Sequence, residues 1–218
     1  MTVKLVAISK PTIEECNTAE ELVAYCARVS NPANQNNHGT SAKLIRYLIN
    51  NAHWSPLEMV HMTMEINTTR DIARQILRHR SFSFQEFSQR YADPTKALGF
   101  VTREARLQDA KNRQNSIEID DVELETLWKN MQELAIADAQ RQYTKAINMG
   151  IAKEQARALL PEGLTESRIY MAGSLRSWVH YCDLRRANGT QKEHREIADA
   201  CWNIVLGQFP MLGEHNEA

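Results

Sequence analysis

The sequence predicts one α+β domain over residues 1–218, dominated by helices, with a small antiparallel sheet and no Rossmann unit. Three observations carry that reading. Apolar residues recur at helical spacing through most of the chain, one segment alternates with the period of a half-buried strand, and the glycines are too scattered for a dinucleotide-binding turn. A chain of 218 residues is long enough to bury one sizeable core.

The elements follow in order. Residues 3–8 are a short apolar run closed by Ser9 and Pro11, and read as a strand. Thr18-Ala19-Glu20-Glu21 has the form of a capping box, and Leu22, Tyr25, Cys26 and Val29 continue it as a helix to about Ser30. A polar loop over residues 31–39 precedes a second amphipathic helix with Leu44, Ile45, Leu48 and Ile49. Val60, Met62, Met64 and Ile66 then alternate with His61, Thr63, Glu65 and Asn67, as one face of a strand does. Thr68 or Thr69 is placed to cap the next helix, which buries Ile72, Ala73, Ile76 and Leu77 and lines Arg70, Arg74 and Arg78 along another face. Beyond Pro94, residues 100–102 read as a strand and residues 108–116 as a polar loop. Asp120 or Asp121 starts a long helix through Leu124, Leu127, Trp128, Met131, Leu134 and Tyr143, ending at Gly150, whose apolar stripe is core or subunit interface. A short helix stops at Pro161, and residues 167–171 are extended. Ser174 opens a helix with Leu175, Trp178, Val179 and Cys182 on one face. Thr190-Gln191-Lys192-Glu193 forms a second capping box before a helix with Ile197, Cys201, Ile204 and Val205.

Composition excludes several classes. With 26 Lys+Arg against 27 Asp+Glu the net charge is −1, which argues against a coat for nucleic-acid polymers and against a polybasic membrane binder. Four separated cysteines, no C-x-x-C and no apolar leader point to a cytoplasmic protein with free thiols. Without H-E-x-x-H or clustered Cys/His spacing, no metal site is expected. The eight glycines are never closer than six positions, so neither G-x-G-x-x-G nor G-x-x-x-x-G-K-[ST] exists, and any phosphate must be held by side chains. Arginine outnumbers lysine 17 to 9, a bias that suits forked recognition of anions.

The arginines are concentrated. Between positions 70 and 90 five of them face only Asp71 and Glu86, a local charge of +3, beside His79, Ser81, Ser83, Ser88, Gln85 and Gln89. That set suits a phosphorylated ligand, whereas a solvated arginine face is the structural alternative. Phe82, Phe84 and Phe87, interleaved with these polar residues, favour a partly enclosed pocket. A second cluster comprises Arg168, Arg176, His180, Arg185 and Arg186, with Arg176 and His180 on one helical face; simple complementation of a helix end is the alternative. His53 and Glu58 sit in a turn and are candidates to orient substrate, and Arg157 is a third site for an anion. Cys26, Cys182 and Cys201 lie on apolar faces and read as core.

Arg78-His79-Arg80…Ser83…Ser88…Arg90 resembles the R-H-R-x-x-S-x-N-x-x-S-x-R motif of flavin-dependent thymidylate synthases, with Gln85 in place of its Asn. The resemblance continues through Ala27-Arg28-Val29-Ser30, His53-x-Ser55-Pro56-x-Glu58, Ala73-Arg74-Gln75, Ala156-Arg157-x-x-Leu160-Pro161 and Leu184-Arg185. It implies a homotetramer with FAD sites between subunits and synthesis of dTMP from dUMP, using methylenetetrahydrofolate as carbon donor and NADPH as reductant. No enzyme nucleophile on the uracil is implied. Position by position, it places Ser30, Ser55, Glu58, Arg78, His79, Arg80, Gln85 and Glu86 at FAD, and, with a one-residue insertion after Pro161, Ser174, Arg176 and His180 as well. It places Gln75, Arg78, Glu86, Ser88, Gln89, Arg90, Arg157 and Arg185 at dUMP, with Arg185 catalytic, and His53 toward the folate and nicotinamide. Two other functions fit the arginine stripe: a nucleic-acid-binding module, and a flavin or nucleotide binder without catalysis.

Overall fold

In the computed structural model, which describes residues 1–215, the chain opens with β1 (Thr2–Ile8), followed by α1 (Ala19–Ala27) and α2 (Ser41–Asn50). Strand β2 (His61–Thr69) runs without a loop into α3 (Arg70–Ile76), and a turn returns the chain as β3 (Ser83–Glu86). A short α4 (Pro94–Ala97), a hairpin of β4 (Arg106–Gln108) and β5 (Ser116–Glu118), the 27-residue α5 (Val122–Asn148) and a short α6 (Lys153–Ala156) come next. Strand β6 (Glu166–Ser174) passes directly into α7 (Leu175–Arg186), and α8 (Lys192–Gln208) is followed by a 3-10 turn, Pro210–His215. The main sheet is antiparallel in the order β1-β2-β6-β3. The architecture is therefore the expected α+β, helix-rich with a small antiparallel sheet.

Alternation decides which face of the sheet is buried. Met62, Met64 and Ile66 on β2 meet Ile169 and Met171 on β6 at register pairs Met64↔Met171 and Ile66↔Ile169, all essentially inaccessible. Trp178, Leu175, Ile197, Cys201 and Val205 from α7 and α8 cover this face, with Val23, Ile45 and Leu57 at its margin. The indole N–H of Trp178 donates to the Met62 carbonyl at 3.2 Å, so its burial leaves no orphaned donor. On the opposite face Tyr170 donates to Glu65 at 2.9 Å.

Local chemistry matches the expectation in most places. Thr18 caps α1 as a reciprocal box with Glu21. The helix stops at Arg28, whose guanidinium turns inward to the Asn37 carbonyl and the Thr40 hydroxyl, pinning the loop that follows. Asp121 caps α5 through the Leu124 N–H, and the positive φ of Gly150 follows its end.

Four local expectations need correction. Thr69 precedes α3 but does not cap it, because its hydroxyl is engaged with Asp71 and Arg103. Thr190 caps nothing: α8 starts one residue later, and Glu193 is drawn to Arg106. Residues 100–102 make a single bridge, Phe100↔Thr165, since the next backbone groups at Arg103 are satisfied by the Gln132 amide at 2.8 Å in both directions. The loop at 108–116 is the tip of the β4–β5 hairpin.

Gly173 is required by packing. A Cβ there would sit 2.4 Å from Cδ1 of Phe82, whose ring is wedged edge-on against Trp178 at 4.9 Å. Gly173→Ala is expected to destabilise the fold by about 1–3 kcal/mol through overpacking, read by chemical denaturation. Adding Phe82→Leu should return part of that loss, and strictly additive effects would contradict the contact.

Candidate active site

Helix α3 is short, and its polar residues diverge. Arg70 pairs with Glu86 at 3.3 Å, and the same carboxylate oxygen accepts from Ser167 at 2.7 Å. Arg74 pairs with Glu162. Arg70, Arg74 and Glu162 border a cleft of ≈ 410 Å³ that also contains Gln89, Glu154 and Arg157. Gln89 is 4% exposed and its Nε2 has no hydrogen-bond partner, a buried donor aimed at nothing in the protein. Arg157 has no carboxylate within 4.0 Å among the described residues, and Arg90 is tied to Glu154 only by an exposed pair at 3.4 Å.

Beyond α3 the chain turns through Arg78, His79 and Arg80 before β3. Arg78 and Arg80 are exposed, and among the described residues neither makes a salt bridge. His79 faces inward, edge-on to Tyr181 at 4.8 Å, and its Nε2 accepts from Nε of Arg185 at 2.9 Å. Burial, and then the charges of Arg185 and Arg78, push His79 down to about 4, so at neutral pH it is uncharged and able to accept that bond. Because Arg185 spends only Nε on His79, its two terminal nitrogens stay available as a fork. Like Arg78, Arg80 and Arg157, Arg185 has no carboxylate partner among the described residues.

The second cluster divides. Arg176 pairs with Glu58, and His180 stacks edge-on against Trp54 with centroids 4.4 Å apart, so this face of α7 is held against residues 54–58. Burial and Arg176 lower the His180 pKa. Ser174 caps α7 through the Ser177 N–H, and its hydroxyl is engaged there. Arg168 turns instead to Asn67 and Glu65, and Arg186 to Asp199 with its head 5.4 Å over Trp202; both are structural. Ser55 is exposed at the start of a 3-10 turn, Ser55–Met59. His53 is exposed and edge-on to Tyr47 at 6.1 Å, and Tyr47 borders a second pocket, ≈ 470 Å³, with Ser30 and Lys43.

The fold thus gathers Gln89, Arg157 and the α3 arginines at one cleft, and pairs His79 with Arg185. Glu58, Arg176 and His180 meet further along α7. Ser88 lies in the turn before Gln89, and Ser83 and Gln85 are exposed on the edge strand β3. Several residues had no signal in the sequence. Buried Tyr181 and His194 form a polar group with half-buried Gln191 and Gln75, yet His194 and Gln75 are 119 positions apart. A larger cavity of ≈ 480 Å³ between the hairpin and α5 is lined in part by Gln191 and by none of the residues that the resemblance assigns.

Three of the four thiols are buried, and Cys26 is half-buried. Cys182 and Cys201 are fully buried and Cys16 nearly so, and burial raises the pKa of each.

Residues 12–211 match the family described as thymidylate synthase complementing protein. A Paramecium bursaria Chlorella virus 1 protein named "Probable flavin-dependent thymidylate synthase" is 49% identical over 214 residues, 98% of each chain. A flavin-dependent thymidylate synthase of Synechocystis sp. is 50% identical over 217 residues, 97% of each chain. The crystal structure of a UMP/dUMP methylase, PolB from Streptomyces cacaoi, bound with 5-Br dUMP, superposes with a TM-score of 0.79 at 26% identity, covering 98% of this chain and 93% of that one. With one family matched across most of its length, and relatives half identical from end to end, the chain belongs to the flavin-dependent thymidylate synthases.

Proposed function

We propose that the chain, acting as one cytoplasmic domain, methylates dUMP to dTMP. Methylenetetrahydrofolate gives the one-carbon unit, and NADPH supplies the electrons through bound FAD. The observation that carries the reading is the set of guanidinium groups at Arg78, Arg80, Arg157 and Arg185 that have no carboxylate partner among the described residues, together with the orphaned amide donor of Gln89, which shares a cleft with Arg157. Charge left uncompensated near a cleft calls for an anion, and a nucleotide monophosphate supplies one of suitable size.

Arg157, Arg90 and Gln89 bind the phosphate. Glu154 and Glu162 compete for Arg90 and Arg74, but both pairs are about half exposed and cheaply exchanged for a dianion. Arg185 acts on the base. Uracil C5 is a poor nucleophile until electron density is pushed into the ring, and a permanently charged fork at N3 and the adjacent carbonyl favours the N3 anion that does this. His79, held neutral, fixes the Nε side of that fork and leaves the rest free. The protonated, buried thiols agree with a reaction in which no cysteine attacks the ring.

The residues present fit FAD in donor chemistry. Arg78 and Arg80 suit its diphosphate; Ser30, Ser55, Glu58, Gln85, Glu86, Arg176 and His180 supply hydrogen-bonding groups, and Ser174 positions the head of α7. When bound, FAD provides the redox chemistry between NADPH and the transferred carbon. His53 and Tyr47 form an exposed aromatic wall suited to the folate or nicotinamide ring. We propose a homotetramer with sites between subunits; the unburied stripe Leu127, Met131 and Leu134 on α5 supports association.

Arg157→Ala is expected to raise the KM for dUMP roughly tenfold or more with kcat little changed; a fall in kcat at constant KM would contradict the phosphate role. Arg185→Lys should lose turnover by about two orders of magnitude, because a point charge does not reproduce the fork, and near-normal kcat would remove Arg185 from the chemistry. His79 and His194 take up protons in the folded chain only near 4 and 3, but near 6.5 when unfolded. Stability present above about pH 6.5 is therefore lost progressively as pH falls toward 4, and Tm measured across that range should drop. A flat Tm would show that these histidines are not held neutral.

A further inference from the structure

Behind Gln75 lies a hydrogen-bonded relay that the reaction described above does not use. The Tyr181 hydroxyl is 3.2 Å from Nε2 of His194, and Nδ1 of His194 is 3.2 Å from Oε1 of Gln75. Nε2 of Gln75 donates to Oε1 of Gln191 at 2.8 Å, and Nε2 of Gln191 donates to the Glu193 carboxylate at 2.9 Å, which also receives Arg106. His194 is completely buried and Tyr181 is 1% exposed.

Every orientation in this relay follows from its last member. Glu193, held by Arg106, can only accept, so Gln191 must turn its nitrogen toward it and its oxygen toward Gln75. Gln75 must then give its nitrogen to Gln191 and its oxygen to His194. His194 must carry its proton on Nδ1, which leaves Nε2 to accept from Tyr181. Burial, and then the nearby charges of Arg185 and His79, push His194 down to about 3, which keeps it in the single-proton form that the relay needs. The Gln75 amide cannot flip without facing an acceptor with an acceptor at Gln191 and a donor with a donor at His194. It retains one uncommitted N–H.

We propose that His194 is a positioning residue for nucleotide binding, acting with Gln191 to lock the Gln75 amide so that it presents an N–H donor to an oxygen acceptor on dUMP. The inference rests on the proposed dUMP activity and on Gln75 being a dUMP contact, as the family resemblance implies. A freely flipping amide would offer its carbonyl as often as its N–H, and that repels the same oxygen.

The test uses the flavin-loaded enzyme with dUMP as the ligand, reading KM and kcat by turnover, Kd by calorimetry, and flavin content by visible absorbance. Gln75→Ala is expected to weaken dUMP binding roughly tenfold, consistent with loss of one directed hydrogen bond and its buried partner. His194→Leu, which removes the donor to Gln75, should raise the dUMP KM and Kd about fivefold with flavin content and kcat nearly unchanged, and His194→Asn, whose amide nitrogen lies near the lost Nδ1, should restore most of the binding. Gln191→Ala, at a half-buried position, should reproduce the loss if the Leu variant does not fold. A merely structural His194 would instead lower flavin content and kcat together, with no rescue by Asn. If Gln75→Ala weakens dUMP but His194→Leu and Gln191→Ala leave Kd unchanged, the positioning role is overturned. If Gln75→Ala itself has no effect, the assignment of Gln75 to the substrate fails, and the relay's role fails with it.

Discussion

The site depends on one antiparallel ladder, the continuous pairing of His61–Thr69 with Glu166–Ser174. Each of these strands passes into a helix with no intervening loop, β2 into α3 and β6 into α7. Register and helix position are therefore the same variable. A slip of one residue would turn Met64, Ile66 and Met171 to the wrong face and rotate both helices away from each other. Because the strands are antiparallel, α3 and α7 leave from opposite ends, Thr69↔Glu166 and His61↔Ser174. Helix α7, about 18 Å long at 1.5 Å per residue, runs back across the sheet until Arg185 reaches His79 beyond α3. That contact joins the end of α7 to the turn that follows α3.

Electrostatics then divides the arginines into two populations. Arg106, Arg168 and Arg186 have carboxylate partners and serve the frame, whereas Arg78, Arg80, Arg157 and Arg185 have none among the described residues. Histidines packed near the second population cannot also be charged, and burial in the presence of Arg185 keeps His79 and His194 neutral. The imidazoles therefore add no charge beside these arginines, and His79 accepts from Arg185.

Much of this was legible in the sequence, for identifiable reasons. The alternation at residues 60–67 and the Thr18 box are local patterns with local causes, and the structure realises both. Ser83–Glu86 was read as pocket chemistry and missed as a strand, because a four-residue edge strand with one neighbour needs little apolar content. Thr190 looked like a cap until Arg106, 87 residues before Glu193, captured that carboxylate. His194 and Tyr181 were invisible for a deeper reason. A buried polar residue is defined by partners brought together from α3, α7 and α8, and a linear pattern holds no record of them.

The sealed thiols have a consequence outside the reaction itself. A protein that carries a reduced flavin in air is exposed to peroxide formed at its own cofactor. Peroxide attacks thiolates, at a rate set by how much thiolate exists and how accessible it is. Cys182 and Cys201 have no exposed surface, and burial holds Cys16 and Cys26 toward the protonated form as well. The burial that keeps these thiols protonated also makes them poor targets for such an oxidant.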